Sequence, residues 1–274
     1  MNHRKLKKTL ALSFIFLVLA VLYIPILLLV IFSFTQTKSG EIGDWNGFTM
    51  MLYEKIFQNS ELMAALGNTL LIASISSLIA VLIGTISAVG IFYLKRRMKA
   101  AANTLNQIIV VNADIVTAVA FMMFFFIIGF RTYGYVTLII AHSMITIPYV
   151  ILTVSPRLSQ LNVNLYDAGL DLGAGPMRTL FTVVVPQLIP SMIAGFAMAF
   201  TLSVDDFVIT QFNNGGGMIN TLSTYLYNSF RKGGRVLQEM RALSTVIFFL
   251  SFAILLAVNI YSAKKKKKAM LGRP

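Results

Sequence analysis

Residues 166–173 read Tyr166-Asp167-Ala168-Gly169-Leu170-Asp171-Leu172-Gly173, and after nine further residues the chain continues Val183-Val184-Val185-Pro186. Leu165, Leu170, Leu172, Met177, Leu180 and Phe181 supply the apolar contacts of two short amphipathic helices. Gly173 stands between the helices, where a residue without a β-carbon lets the backbone reverse. Pro186 suits the entrance of the following helix, because its missing N–H is not needed there. This helix pair lies within a polar connector, residues 155–187, between two long apolar runs.

Those runs belong to a chain of 274 residues that is 57% hydrophobic and only 12% charged. Its mean hydropathy is +0.78, which requires a bilayer as the main solvent. A helical span needs roughly 20 apolar residues to cross about 30 Å of hydrocarbon. Six stretches qualify: Thr9–Phe34, Leu66–Leu94, Thr104–Phe130, Tyr133–Val154, Leu188–Phe212 and Ala242–Tyr261. The first follows Arg4, Lys5, Lys7 and Lys8 like a secretory signal, but it is too long for one and no small-residue cleavage site follows, so it reads as an uncleaved helix with a kink at Pro25. The third is the least regular, being interrupted by Asn112 and Asp114. The expected fold is thus an all-α integral membrane protein of about six transmembrane helices, residues 1–274 forming a single membrane domain without internal repeats or a soluble domain.

Charge sets the expected orientation. Six spans leave both ends on one face, and that face carries 16 Lys and Arg residues, including Lys95–Arg97, Lys99, Arg157, Arg178 and Lys264–Lys268, against seven on the other. Basic residues are retained in the cytoplasm, so both termini and the 155–187 loop are expected there. The net charge of +13 sits in short runs beside apolar segments, which speaks for membrane topology and against nucleic-acid binding. Lys264–Lys268 is expected to anchor the tail at anionic lipid headgroups. With no cysteine and two histidines, neither disulfides nor a thiolate or histidine metal cluster is expected.

The Asp167-Ala168-Gly169, three residues, Gly173, nine residues, Val183-x-Val185-Pro186 pattern resembles the Glu-Ala-Ala, three residues, Gly, nine residues, Ile-x-Leu-Pro signature of binding-protein-dependent ABC importer permeases. Tyr23–Ile26, Trp45–Thr49, Asn68–Leu70, Gly84-Thr85, Asp114–Val116 and Leu202–Asp206 extend the resemblance over nearly the whole chain, toward the spermidine/putrescine permeases of that family. The resemblance implies a type I, MetI-like permease fold with cytoplasmic coupling helices, a first helix at 9–34, a core permease domain at 66–261 and a coupling loop at 155–187. It implies that Asp167, Ala168, Gly169, Gly173 and Pro186 dock into a separate ABC ATPase dimer. It further implies a second, related permease subunit and an extracytoplasmic substrate-binding protein as partners. Asp167 stands where the family has glutamate, Gly169 where it has a second alanine, and Ala113 where proline usually precedes the aspartate; the loop after Phe212 is unusually rich in glycine. A glycine within a helix costs about 1 kcal/mol relative to alanine, which the partner's groove would have to offset.

Acidic residues within spans cost at least about 2.5–3.5 kcal/mol each and therefore face a cavity or a partner. Asp114, Asp205 and Asp206 are such residues, and carboxylates beside aromatic faces suit a flexible polyammonium chain. The expected substrate path comprises Asp114, Asp205, Asp206, Phe207, Tyr133 and Tyr135, with Phe212 as a further aromatic candidate. Asp114 is about ten residues into the third span, roughly 15 Å along its axis by the helical rise, which places it near mid-membrane. The competing readings are that Asp205 and Asp206 make helix-end hydrogen bonds or an ion pair, and that Asp114 stabilises a helix break. His142 is expected to make an interhelical hydrogen bond in preference to serving as a proton relay, and Phe121–Phe126 to form a lipid or packing face.

No Gly-x-x-x-x-Gly-Lys-Ser/Thr loop is present, so this chain is expected to bind no cofactor itself and to leave ATP and magnesium to the partner ATPase. No nucleophile elbow or metal-ligand spacing is found either, which makes an enzyme a poor reading. The alternatives to polyamine import are a permease for iron or thiamine and, less favoured, an ion-coupled secondary transporter.

Overall fold

The computed structural model describes residues 3–35, 47–129, 134–161, 164–232, 239–249, 252–253 and 256. Every regular element among them is helical, and the chain divides into two compact units, 1–63 with 226–274 and 64–225. Tyr133, Lys264–Lys268 and part of the expected sixth span lie outside the described residues, within which 239–249 is helical.

In the first unit, α1 (His3–Ser33) keeps its apolar residues from Leu12 onward largely exposed, as a helix facing lipid or another subunit does. Its end is tied to α2 (Met51–Gln58) through a hydrogen bond between the Ser33 and Tyr53 hydroxyls (2.8 Å) and through Phe34 stacked on Phe48. Amphipathic α2 buries Leu52 and Ile56. Asn59 then caps α3 (Ser60–Tyr93), its Oδ1 accepting the Leu62 N–H (3.1 Å), while its Nδ2 donates to Glu239 (2.8 Å).

The second unit contains most of α3, then α4 (Arg96–Val111), α5 (Asp114–Ile127), α6 (Tyr135–Ser159), α7 (Asn164–Asp171), α8 (Pro176–Thr179), α9 (Val185–Asp205), α10 (Val208–Asn213) and the start of α11 (Leu222–Lys232). Its core joins Ala80 and Ala88 of α3 to Val150, Val154 and Leu158 of α6 and to Leu188 and Ala199 of α9. Small residues permit the close crossing: a β-carbon on Gly84 would meet Val150 at 2.8 Å, and one on Gly195 would meet it at 3.3 Å. A second cluster holds Phe125 and Ala118 of α5 against Ala141 of α6 and Ile209 of α10. Within the aromatic run, Phe125 is therefore core, whereas Phe124 and Phe126 are exposed.

Four helices among the described residues are long and apolar enough to cross a membrane: Leu12–Ser33, Ser60–Tyr93, Tyr135–Ser159 and Pro176–Asp205. The expected third span, Thr104–Phe130, is not a continuous helix. It breaks at Asn112-Ala113, both extended, and α4 and α5 meet at 103°. The Asn112 side chain bridges the break by donating to the Thr117 hydroxyl (3.0 Å). Asp114 is consequently the first residue of α5 and not a point midway along a rod, and the depth inferred from continuous helical rise does not apply. The expected fifth span also ends early, at Asp205, with Asp206 and Phe207 separating α9 from α10.

Candidate functional site

Both helix breaks border one cleft of about 280 Å³, whose lining among the described residues includes Asp114, His142, Tyr149, Asp205, Asp206 and Phe207 and no lysine or arginine. Irregular backbone is tolerated at membrane depth where it faces such a cavity, which accounts for the position of the breaks. Asp114 and Asp205 are exposed. Asp206 is held more tightly. Its Oδ1 accepts the Ile209 N–H (3.2 Å), and its Oδ2 accepts the Thr210 N–H (2.9 Å) and hydroxyl (3.1 Å). It thus makes the helix-end hydrogen bonds weighed from the sequence, by capping α10, while still lining the cleft.

His142, 1% exposed, projects from α6 onto this cap. Its Nδ1 lies 2.7 Å from the Ser203 hydroxyl, and its Nε2 lies 3.0 Å from the Thr210 hydroxyl and 3.5 Å from Asp206 Oδ2. Ser203 continues the network to Ser76 of α3 at 3.2 Å. The interhelical hydrogen bond expected of His142 is therefore present twice over, and it links α6 to α9 and α10.

The aromatic candidates separate. Phe207 lines the cleft. Tyr135 does not: its hydroxyl donates to Asn68 Oδ1 (2.7 Å), and Asn68 donates in turn to the Asn220 carbonyl (3.0 Å). Phe212 packs against the Phe125 cluster. Tyr149, which sequence reasoning missed, is the tyrosine on the cleft wall. Helical spacing could not single it out, since Tyr135 and Tyr149 each stand seven residues from His142 on α6 and residues seven apart share a helix face.

The helix pair takes a form the sequence showed only in part. Helix α7 ends in a Schellman motif: the Ala174 N–H donates to the Gly169 carbonyl (3.2 Å) and the Gly173 N–H to that of Leu170 (2.9 Å), with Gly173 at φ +83°. The second helix is not a short separate one. Segment α8 runs through a π turn, Leu180–Val184, directly into α9, and Pro176–Asp205 forms one 30-residue span. Pro186 therefore stands just after a wide turn and not at a free helix entrance. A proline ring clashes with the carbonyl four residues earlier in an α-helix, and the π turn displaces that carbonyl.

Asp167 and Ala168 are exposed, as are the apolar Leu165, Leu172, Met177 and Phe181, whereas Leu170 and Leu180 are partly buried. Gly169 has a local explanation: a β-carbon there would lie 2.5 Å from Thr179 Cγ2, because the Thr179 methyl fills the place of an alanine side chain. Overpacking of this kind costs about 1–3 kcal/mol, more than the gain in helix propensity. Gly169→Ala is expected to speed hydrogen exchange at the Ala174 amide roughly tenfold, the equivalent of about 1.4 kcal/mol. Adding Thr179→Ser, which removes the methyl but keeps the hydroxyl that donates to the Gly175 carbonyl, should restore slow exchange.

Long apolar helices, broken where they border an acidic cleft lined among the described residues by no lysine or arginine, define a membrane transport component. Residues 80–264 match the family described as binding-protein-dependent transport system inner membrane component, and the chain belongs to that family of multi-pass ABC importer permeases. It is 31% identical over 252 residues to the spermidine/putrescine transport system permease protein PotC of Haemophilus influenzae, covering 92% of this chain and 96% of that one. It is 32% identical over 232 residues to the putrescine transport system permease protein PotI of Escherichia coli K12, covering 82% and 81%. The fold matches a chain of a bacterial ABC transporter involved in import of the acidic polysaccharide alginate, with a TM-score of 0.67, 17% identity and coverage of 94% and 95%.

Proposed function

We propose that this chain is a permease subunit of a polyamine importer and that its acidic cleft is part of the path for spermidine or putrescine. The observation that carries this reading is the convergence of Asp114, Asp205 and Asp206 with Tyr149 and Phe207 on a cleft that, among the described residues, is lined by no lysine or arginine. Carboxylates attract ammonium groups, while aromatic faces stabilise them without the desolvation a buried ion pair demands. The names of the relatives agree with that chemistry.

In this reading both termini and the 155–187 loop are cytoplasmic. An extracytoplasmic binding protein delivers cargo, a second permease completes the path, and a separate ATPase pair consumes ATP and magnesium while this chain catalyses nothing. Asp167, Ala168, Gly169 and Gly173 present the exposed helix pair to the ATPase, and Pro186 and the π turn join its movement to α9. The exposed leucines, methionine and phenylalanine of the pair support this assignment, since apolar side chains at such a tip are suited to burial against a partner.

The test is uptake of labelled spermidine by the assembled transporter in proteoliposomes. ATP-dependent uptake that unlabelled putrescine suppresses is expected. Uptake of ferric iron or thiamine in place of polyamines would overturn the cargo. Uptake that persists without the ATPase and collapses with the proton gradient would overturn the ABC mechanism.

A further inference from the structure

The hydrogen bonds around His142 fix which of its nitrogens carries hydrogen. The Thr210 hydroxyl donates its single proton to Asp206 Oδ2, a carboxylate oxygen that can only accept (3.1 Å). The contact of His142 Nε2 with Thr210 Oγ1 (3.0 Å) must therefore be an Nε2–H donating. In the neutral ring Nδ1 is then the acceptor, and the Ser203 hydroxyl donates to it (2.7 Å).

The same contacts also accommodate a second ring proton. Were Nδ1 to carry hydrogen, it would donate to Ser203 Oγ; the Ser203 hydroxyl would turn to Ser76 Oγ (3.2 Å), and Ser76 already donates to the Ala73 carbonyl (3.3 Å). Rotating one hydroxyl leaves every donor of the network paired, so neither form of the ring strands a buried donor. The extra charge would lie 3.5 Å from Asp206.

We infer that His142 sets the charge the cleft offers to its cargo: neutral, it leaves Asp206 uncompensated, and protonated, it pairs with Asp206 and competes with an incoming cation. Among the described residues, the charged and titratable groups facing this cleft besides His142 are Asp205 on α9, Asp206 in the α9–α10 break, Asp114 on α5 and Tyr149 on α6 itself. Helix α3 contributes the Ser76 hydroxyl and has no charged residue between Glu61 and its end. One added positive charge is therefore a large fraction of the total. This inference deepens the cation-path reading and rests on it.

Two measurements on the assembled transporter test it. In proteoliposomes, the KM for spermidine should rise on the order of tenfold between about pH 8 and about pH 5.5, as expected for a charge pair within 4–6 Å. His142→Gln, whose amide nitrogen can still donate to Thr210, should make KM nearly flat over that range. A wild-type pH dependence retained in His142→Gln would overturn the inference and leave the polyamine reading standing. The second measurement needs no cargo: histidine nitrogen NMR in nanodiscs, as the difference between wild type and His142→Gln. It should show the Nε2–H tautomer at alkaline pH and a second proton gained on acidification, at a lower pH in Asp206→Asn. An Nδ1–H tautomer, or a ring unchanged down to about pH 5.5, would overturn it. Failure of wild type to take up spermidine at all would reject the cargo assignment, and the NMR result would still decide the role of His142.

Discussion

Gly173→Val is expected to reduce spermidine uptake by at least tenfold while leaving the chain inserted and its membrane helices intact. Gly173 has φ +83° and donates the inner hydrogen bond of the motif that ends α7. A left-handed conformation costs an L-residue roughly 1–2 kcal/mol, and a branched β-carbon makes it a true outlier. The turn would rearrange to relieve that strain, and the direction of α7 relative to the α8–α9 segment would change with it. If the helix pair receives force from the ATPase, misdirecting α7 breaks transmission without touching the cleft. Co-purification of the ATPase subunit and uptake in proteoliposomes measure the two halves of this claim. Gly173→Asn should retain an intermediate activity, because asparagine visits the left-handed region with less strain. Uptake by Gly173→Val equal to wild type would remove the helix pair from the mechanism.

Asp114→Asn and Asp205→Asn are each expected to raise the KM for spermidine by roughly 10–100-fold, corresponding to the loss of about 1.5–3 kcal/mol for a hydrogen bond to a charged group. Both side chains are exposed where they border the cleft, so the amide removes charge with little effect on folding. Asp206→Asn should behave differently. Its carboxylate accepts three hydrogen bonds from Ile209 and Thr210, and an amide nitrogen in place of one oxygen cannot accept. Losing one of its two acceptor oxygens should lower thermal stability as well as uptake, by less than the roughly 0.5–2 kcal/mol that removing a whole cap with alanine costs. Transport kinetics and the unfolding midpoint of the purified protein, measured on the same three variants, separate the roles. Unchanged KM in both Asp114→Asn and Asp205→Asn would exclude these residues from the path.

The membrane class and the helix pair were legible because each depends on local sequence. Long apolar runs need no partner to be recognised, and a glycine after a short amphipathic helix marks a turn wherever the chain goes. The broken third span was legible only in part: Asn112 and Asp114 mark an interruption and a helix break there was weighed, but a hydropathy window averages across them and sees one apolar stretch where the backbone makes two. The grouping of Asp114 with Asp205 and Asp206 was anticipated from the energetic cost of membrane carboxylates. Which aromatic side chains join them was not: Tyr135 and Tyr149 lie on the same helix, and only tertiary packing sends one to Asn68 and the other to the cleft. The capping role of Asp206 was weighed but undecided, since α10 is only six residues long and has no periodicity to announce its start. Gly169 departs from the family pattern, and the reason, the Thr179 methyl that occupies the place of an alanine side chain, lies ten residues away where no local reading reaches it.

The π turn at Leu180–Val184 acts on the azimuth of everything that follows. A wide turn holds about one residue more than a regular one, and one residue corresponds to about 100° of rotation around a helix axis. That single supernumerary position therefore phases Ser203 toward His142 and Asp205 toward the cleft, some twenty residues downstream. A one-residue deletion in the turn would act like twisting a key in its barrel, turning the acidic teeth away from the lock while the span lost a single residue of its length.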